Sequence, residues 1–337
     1  MKKIFLTVLA FILCSTFVFA SDIEVLPTMR TKSSAQDRVW VGTFQIVWND
    51  FMDKIIHNPI RFREGTPEYV KDLNKQRFTI ASLSEESYYR YTGKVTKKTK
   101  KQITKAIRKK FDETSDLLDK LDLTPGNDKL LIYAMLKKDF EFVNAFDKLG
   151  KLDFGKNQSA EYFGVEPKSE DKLGEGIKIL FYNSPEDFAV ILTTKGKDEV
   201  YLYKNASNKP FNYIYADMFK KQKYYKESTE FAKNDELRVP NIKFFEEKSF
   251  EELTGKRIMG TNLVIDQAME TIKFNMDNKG VELKSEAAIT VMTTALLPEN
   301  EPRKFYFDDT FVLFLKETGK NKPYFALRVN DIEKFQK

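Results

Sequence analysis

The sequence predicts an α+β fold, helical early and mostly β later, on three observations. Apolar residues recur at helical spacing as far as residue 121. The cluster Thr124-Pro125-Gly126-Asn127-Asp128 then breaks the chain. Beyond it the apolar runs are short, β-branched or aromatic, and separated by Gly, Asn, Asp and Lys. With 337 residues, 42% hydrophobic and 31% charged, the chain can bury a full core and is neither disordered nor collagen-like.

The N-terminus reads as a targeting signal. Lys2 and Lys3 precede an almost wholly apolar stretch from Ile4 to Phe19, and Val18 and Ala20 are small enough to flank a cut. The run is shorter than the ~20 residues of a membrane span and lacks a basic stop. Residues 1–20 are therefore expected to be a cleaved secretory signal, with no integral membrane span and a secreted or extracytoplasmic protein. A lipoprotein cut before Cys14 is disfavoured by Leu13, where a small residue is preferred. Cleavage removes Lys2, Lys3 and no acid, so the formal charge falls from +6 to +4, and the mature chain is free of Cys and of disulfides. This signal, with a Lys- and Asn-rich composition, points to a bacterium.

One His and one Cys exclude most site chemistry. Clustered His/Cys metal sites and a Cys nucleophile are out, and a Ser–His–Asp triad would have to use His57, which sits at a helix end and reads as a cap. The pairs Asp112-Glu113, Glu246-Glu247 and Glu251-Glu252 lie in charged runs and read as solvated faces. Phosphate-loop, zincin, nucleophile-elbow and EF-hand patterns are lacking. No catalytic residue, metal or cofactor is expected, and the protein is expected not to be an enzyme. A charge of +4 is too small to imply nucleic acid. The basic stretch 94–110 could bind phosphates or anionic polymers, but Ile103, Ile107 and Phe111 at i, i+4, i+8 favour the solvated face of a helix.

In chain order, residues 21–36 are short, polar and aperiodic, and are expected to be a flexible arm. Phe44, Val47, Trp48, Phe51 and Ile55 predict a helix ending at Asn58-Pro59. A second helix follows Pro67, and a basic one is expected over 97–121. Strands are predicted at 129–136, 177–182, 188–193, 200–203, 271–276, 304–307, 312–316 and 324–329. The tyrosines at 88, 89, 91, 213, 215, 224 and 225 could line a groove, though strand packing accounts for them more simply. Residues 37–337 are read as one domain, its helical part 37–125 and its β-rich part 126–337.

The informative stretch is 265–331. An apolar strand with Met269, Ile272, Phe274 and Met276 ends in Asp277-Asn278-Lys279-Gly280. A small-residue segment through Ser285-Glu286-Ala287-Ala288 runs to Pro298, and Lys304-Phe305-Tyr306-Phe307, Asp308-Asp309-Thr310-Phe311 and Tyr324–Asn330 follow. This order resembles the C-terminal third of the serpins, with their hinge, protease-bait loop and closing strands. Arg238-Val239-Pro240-Asn241-Ile242-Lys243-Phe244, followed by Ser249–Leu253, resembles the serpin "Leu-Pro-Lys-Phe-Lys" strand and the helix after it. Leu131 to Asp147, closing in Phe142-Val143-Asn144-Ala145-Phe146-Asp147, resembles the central sheet strand. The resemblance spans residues 129–335. Against the pattern, the helical N-terminal part is short, Phe142 stands for Trp, Ala134 for Asn, Asn278 for Glu, and Asp309-Thr310 for His-Pro.

The resemblance implies large, mainly antiparallel sheets with helices packed on them and an exposed reactive-centre loop at 280–303. It also implies suicide inhibition, in which the cut loop enters the main sheet as a strand. A strand flanked on both sides must alternate. Counting from Gly280, the inward set would be Val281, Leu283, Ser285, Ala287, Ile289 and Val291, all apolar or small. Glu282, Lys284, Glu286, Ala288 and Thr290 would point outward. A slip of one residue would bury three charges. An ordinary amphipathic edge strand would show the same alternation, and the bulk of Leu283 and Lys284 would slow insertion. The resemblance places the scissile bond near Thr294-Ala295, within Met292, Thr293, Thr294, Ala295, Leu296 and Leu297. The implied partner is a serine or papain-like cysteine endopeptidase preferring small or apolar residues, met by a monomer. The alternative is a non-inhibitory scaffold of the same fold, acting as an extracytoplasmic binding or surface-interaction protein.

Overall fold

Buried apolar runs define the centre of the fold. The computed structural model describes residues 23–126, 128–281 and 302–336. Its first elements are β1 (Glu24–Val25), β2 (Arg38–Val41), helix α1 (Thr43–Phe51) and helix α2 (Glu68–Leu73). Strand β3 (Tyr88–Lys94), helix α3 (Thr99–Phe111), and strands β4 (Leu130–Leu136), β5 (Phe140–Glu141), β6 (Asp147–Phe154) and β7 (Gln158–Val165) come next. The chain continues through β8 (Ile177–Ser184), β9 (Asp187–Thr193), β10 (Asp198–Lys204) and helix α4 (Phe211–Tyr224). It ends in β11 (Glu236–Pro240), β12 (Ile242–Ser249), β13 (Met269–Met276), β14 (Gly280–Val281), β15 (Lys304–Tyr306), β16 (Phe311–Glu317) and β17 (Phe325–Val329).

Seven strands form the main sheet in the order β1-β2-β17-β16-β10-β9-β8, antiparallel except for the β1–β2 edge. β16 reads Phe-Val-Leu-Phe-Leu without alternation because both of its faces are covered, and all five residues are buried. Helix α4 covers one face, with Tyr215 against Phe314 at 5.0 Å between ring centroids and Met218 fully buried. A second sheet, β15-β11-β7-β6, brings the residues after the loop parallel to β11 in the register Leu237↔Phe305. Two further pairs, β3–β4 and β12–β13, stand as separate two-stranded sheets. The second is packed on the main sheet by Phe274 stacked on Phe325 at 4.8 Å.

Several expectations change. Residues 23–26 lie inside the segment expected to be an arm, yet Ile23, Val25 and Leu26 are buried and Glu24–Val25 pairs with β2. Three apolar side chains in so short a segment are enough to dock it. The basic helix stops at Phe111, because Asp112 takes a left-handed cap at φ 54°, and 112–123 continues as turns that bury Leu118. The tyrosines at 213, 215 and 224 are on α4, because Pro210 starts a helix whose buried residues Phe211, Ile214 and Met218 keep its period. The segment after β12 is turn rather than helix, with Phe250 and Leu253 still buried. The single strand expected from Leu131 onward is broken at residues 137–139. The β6–β7 hairpin, whose residues from 147 to 154 are mostly half-exposed and lack a clear apolar period, was not anticipated.

Close approach fixes one glycine in the second sheet. A Cβ at Gly164 would stand 1.8 Å from the Leu237 carbonyl oxygen, a backbone atom that cannot turn aside. Gly164→Ala is expected to split the β7–β11 pair and cost ~2 kcal/mol or more, read as a lowered urea midpoint.

Candidate functional site

The functional geometry lies between the two small sheets. β4 and β13 each carry one ladder, to β3 and to β12, and their facing edges have no strand partner among the described residues. Between them is a cavity of about 780 Å³ floored by Phe44, Val47, Trp48 and Phe51 of α1. The halves are joined at one end by the two-residue ladder Gly280↔Glu141 and Val281↔Phe140.

That ladder depends on a tight reversal. Asp277 and Gly280 exchange backbone hydrogen bonds of 3.1 and 3.3 Å, turning the chain back after β13. Gly280 has φ +149°, and a Cβ there would come within 2.3 Å of the Phe140 carbonyl oxygen. Only glycine fits. Val281 follows with 7% of its surface exposed. Asn278 has a structural role: its backbone carbonyl accepts from Phe146 N–H at 2.8 Å and its amide donates to the Phe146 carbonyl at 3.0 Å. Phe142 is buried against Phe146 and Phe163, at 5.1 and 5.9 Å between ring centroids.

One half-buried and one buried charge line the slot. Lys138, in the break between β4 and β5, donates to Glu317 at 2.5 Å and to Asp198 at 2.9 Å. Its ammonium lies 5.0 Å from the Tyr324 ring centroid. Glu317 also accepts from Ser84 N–H at 2.9 Å and the Ser84 hydroxyl at 2.6 Å. Burial alone would raise the Glu317 carboxyl, but the bonds from Lys138 and Ser84 outweigh it and hold the group below its ordinary value. The second charge is Glu270 of β13. Its Oε1 accepts from the Thr43 hydroxyl at 2.6 Å and Phe44 N–H at 3.2 Å, serving the first turn of α1, while Oε2 has no partner. Burial pushes its carboxyl up to about 7.

The sequence matches no known family profile, and no curated protein matches it. Among solved structures it is similar to Serpin48, a highly specific serpin of the insect Tenebrio molitor. The identity is 12%, over 87% of this chain and 91% of that one, with a TM-score of 0.51. The fold is serpin-like. Human thyroxine-binding globulin complexed with thyroxine also aligns, at 10% identity over 84% of this chain and 94% of the other, with a TM-score of 0.45.

Of the site residues read from sequence, Gly280 and Val281 stand at the mouth of this serpin-like slot. Leu283, Ser285, Ala287, Ile289 and Val291, and the bait residues 292–297, lie outside the described residues, as does the signal 1–20. His57 is an exposed left-handed helix cap at φ 60°. Among the described residues no group of His, Cys, Asp and Glu is placed to hold a metal. No described helix is long and apolar enough to cross a membrane. Lys138, Glu317 and Glu270 were missed by sequence reading. Glu270 had a legible signal, since it stands in phase with the inward residues Ile272, Phe274 and Met276.

Replacing Lys138 by Met would leave Glu317 and Asp198 buried without a counter-charge. The expected loss is ~3–5 kcal/mol of unfolding free energy, measured by urea titration. For Glu270 the sign follows from its raised value: from its ordinary 4.5 up to about 7 the folded protein keeps a proton that the unfolded chain has released. This stabilisation is complete below pH 4.5 and is lost as pH rises through 7. The advantage of Glu270→Gln over wild type should therefore grow by ~3 kcal/mol across that window, read by denaturant unfolding at its two ends.

Proposed function

We propose that this protein is an exported serpin-type protease inhibitor that traps a serine or cysteine endopeptidase of small or apolar preference. The observation that supports the reading is the slot between β4 and β13, which no strand occupies among the described residues, with Gly280 and Val281 at one end of it. After its reversal at residues 277–280 the chain heads back antiparallel to β13. Extending the pairing Asp277↔Gly280 sets Val281, Leu283 and Ser285 opposite Met276, Phe274 and Ile272, which are all buried. On this reading the inward set counted from the sequence would face the buried residues of the strand beside it once the loop had inserted.

The chemistry requires nothing from this chain beyond a cleavable bond. The protease nucleophile attacks the scissile carbonyl near Thr294-Ala295, the new amine leaves with the C-terminal segment, and the acyl-enzyme remains on the upstream part. Strand formation then carries that ester or thioester away before water completes hydrolysis. The driving force is two new ladders and the burial of Leu283, Ile289 and Val291, at roughly 1.5–3 kcal/mol for each side chain. The native state is held by a kinetic barrier. Residues 1–20 direct export, and the partner is the protease alone.

A second reading, a non-inhibitory binding protein, draws support from Glu270, a carboxylate where an inserting strand would have to pass. Nicking separates the two. A cut between Met292 and Leu297 is expected to raise the melting temperature by roughly 10 °C or more. An active protease of the proposed class is expected to form a detergent-resistant complex. Ser285→Arg or Ala287→Arg should abolish both effects while the uncut protein stays folded. A nicked protein that melts no higher than the intact one, with no complex formed, refutes the inhibitor and leaves the binding module.

A further inference from the structure

The basic helix α3 presents an unbalanced row of charge to solvent. Ile103 and Ile107 are fully buried against Val95, Leu118, Leu131 and Tyr133, which fixes the side that the helix turns inward. At ~100° per residue, Lys101, Lys105, Arg108 and Lys109 fall within an arc of about 100° on the opposite side, and Lys97 and Lys98 lead into it. All six are exposed, and among the described residues none of their side chains has an ion pair or a hydrogen bond. No acid stands between Lys94 and Phe111. These six charges equal the formal net charge of the whole chain, +6, so the remainder of the sequence is neutral on balance.

The row weakens the helix that bears it. Lys101, Lys105 and Lys109 follow one another at i, i+4 and i+8, so each step sets like charges side by side. Lys98 stands at the N-cap, where it makes no side-chain hydrogen bond to the first turn and opposes the helix dipole. Two neighbouring cations show what internal use looks like. Lys100 takes Asp119 at 2.6 Å, and Lys110 donates to the carbonyls of Glu85 and Tyr88 at 2.7 and 2.5 Å. The six of the row have no such use. Repulsion without an internal partner is what an external anion relieves.

We propose that α3 is a docking surface for a linear phosphate polymer, laid along the row with its phosphates against Lys97, Lys98, Lys101, Lys105, Arg108 and Lys109. From Lys98 to Lys109 the row is about 16 Å long, and cations at i, i+4 are about 6 Å apart, so a flexible chain charged on every unit meets them in turn. The flanks select a chain over a plane. Asp112 is exposed at the end of the helix and Asp119 lies beside Lys100. A flat anionic membrane would press on these acids, whereas a chain along the crest clears them. The residue types select phosphate over bases or sugars. All but Arg108 are lysines, point charges suited to phosphate without a planar bidentate fork. The outward arc holds no aromatic residue, so bases and sugar rings have nothing to stack on. This surface uses neither the slot nor the loop, and it stands whether or not the chain is an inhibitor.

The test titrates the full, uncut chain into fluorescently labelled inorganic polyphosphate and follows anisotropy from 50 to 200 mM salt. Six contacts predict a slope of log K against log salt of roughly −4, a fall of about 300-fold in affinity over that range. Lys101→Gln, Lys105→Gln and Lys109→Gln together are expected to halve the slope to roughly −2. They should leave the helical circular dichroism unchanged, because they remove repulsion and no packing. Lys220→Gln, Lys223→Gln and Lys226→Gln take the same net charge from exposed positions on and just after α4, and are expected to keep the wild-type slope. No binding at 50 mM salt, or an equal loss in both triple variants, overturns the proposal and reduces the row to a solvated helix face. Tighter binding to heparin, to single-stranded DNA or to phosphatidylglycerol vesicles than to polyphosphate overturns the choice of partner.

Discussion

Among the described residues the facing edges of β4 and β13 carry backbone N–H and C=O groups with no ladder to join, and an edge of that kind ordinarily has to be charged, bulged or covered. Here two such edges face each other across a cavity floored by α1. They are held apart because each half has its own anchor. Phe274 fixes the β12–β13 pair to the main sheet through Phe325, and Asp50 of α1 takes Arg90 of β3 in an ion pair. The short β5–β14 ladder then hinges the halves at one end. Everything distinctive about this protein, from the need for glycine at 280 to the buried charges along the slot, follows from keeping that gap open.

Buried charge is distributed unevenly along it. At the hinged end Lys138, Glu317, Asp198 and Tyr324 form a satisfied network in which every member has an opposite charge or a hydrogen bond, and such a cluster holds one arrangement. At the start of β13, away from the hinge, Glu270 is half-satisfied. Its Oε1 caps a helix whose first turn would otherwise present unpaired N–H groups, a favourable placement for negative charge, while Oε2 pays the cost of burial. The hinged end of the slot is held by a satisfied network and the start of β13 by a half-satisfied carboxylate, so the two sites contribute differently to stability.

The same region shows that a change of residue need not undo a packing contact. Asn278 stands where the serpin hinge carries Glu, and its amide pins the reversal to Phe146. Phe142 stands for Trp and still fills the junction with Phe146 and Phe163. In each case the interaction survives a change of residue because geometry, and not identity, is what the junction requires.

Much of the fold was legible in the sequence. The strands expected at 177–182, 188–193, 200–203, 271–276 and 312–316 announce themselves through β-branched and aromatic residues, and each lies within an observed strand. Helix α1 announces itself through its helical period. Those signals are local, set by side-chain spacing on one element. The inward alternation from Gly280 was local too, and beyond Val281 it lies outside the described residues. Tertiary structure alone decided the rest. The docking of 23–26 depends on a neighbouring strand edge, the α4 tyrosines depend on which face the main sheet offers, and the break at 137–139 depends on Lys138 reaching Glu317. Whether β4 and β13 pair or stand apart is a property of two distant segments and the helix beneath them. No single stretch of sequence encodes that distance, because it is set by α1 packing against β3 and β4 and by β13 packing on β17.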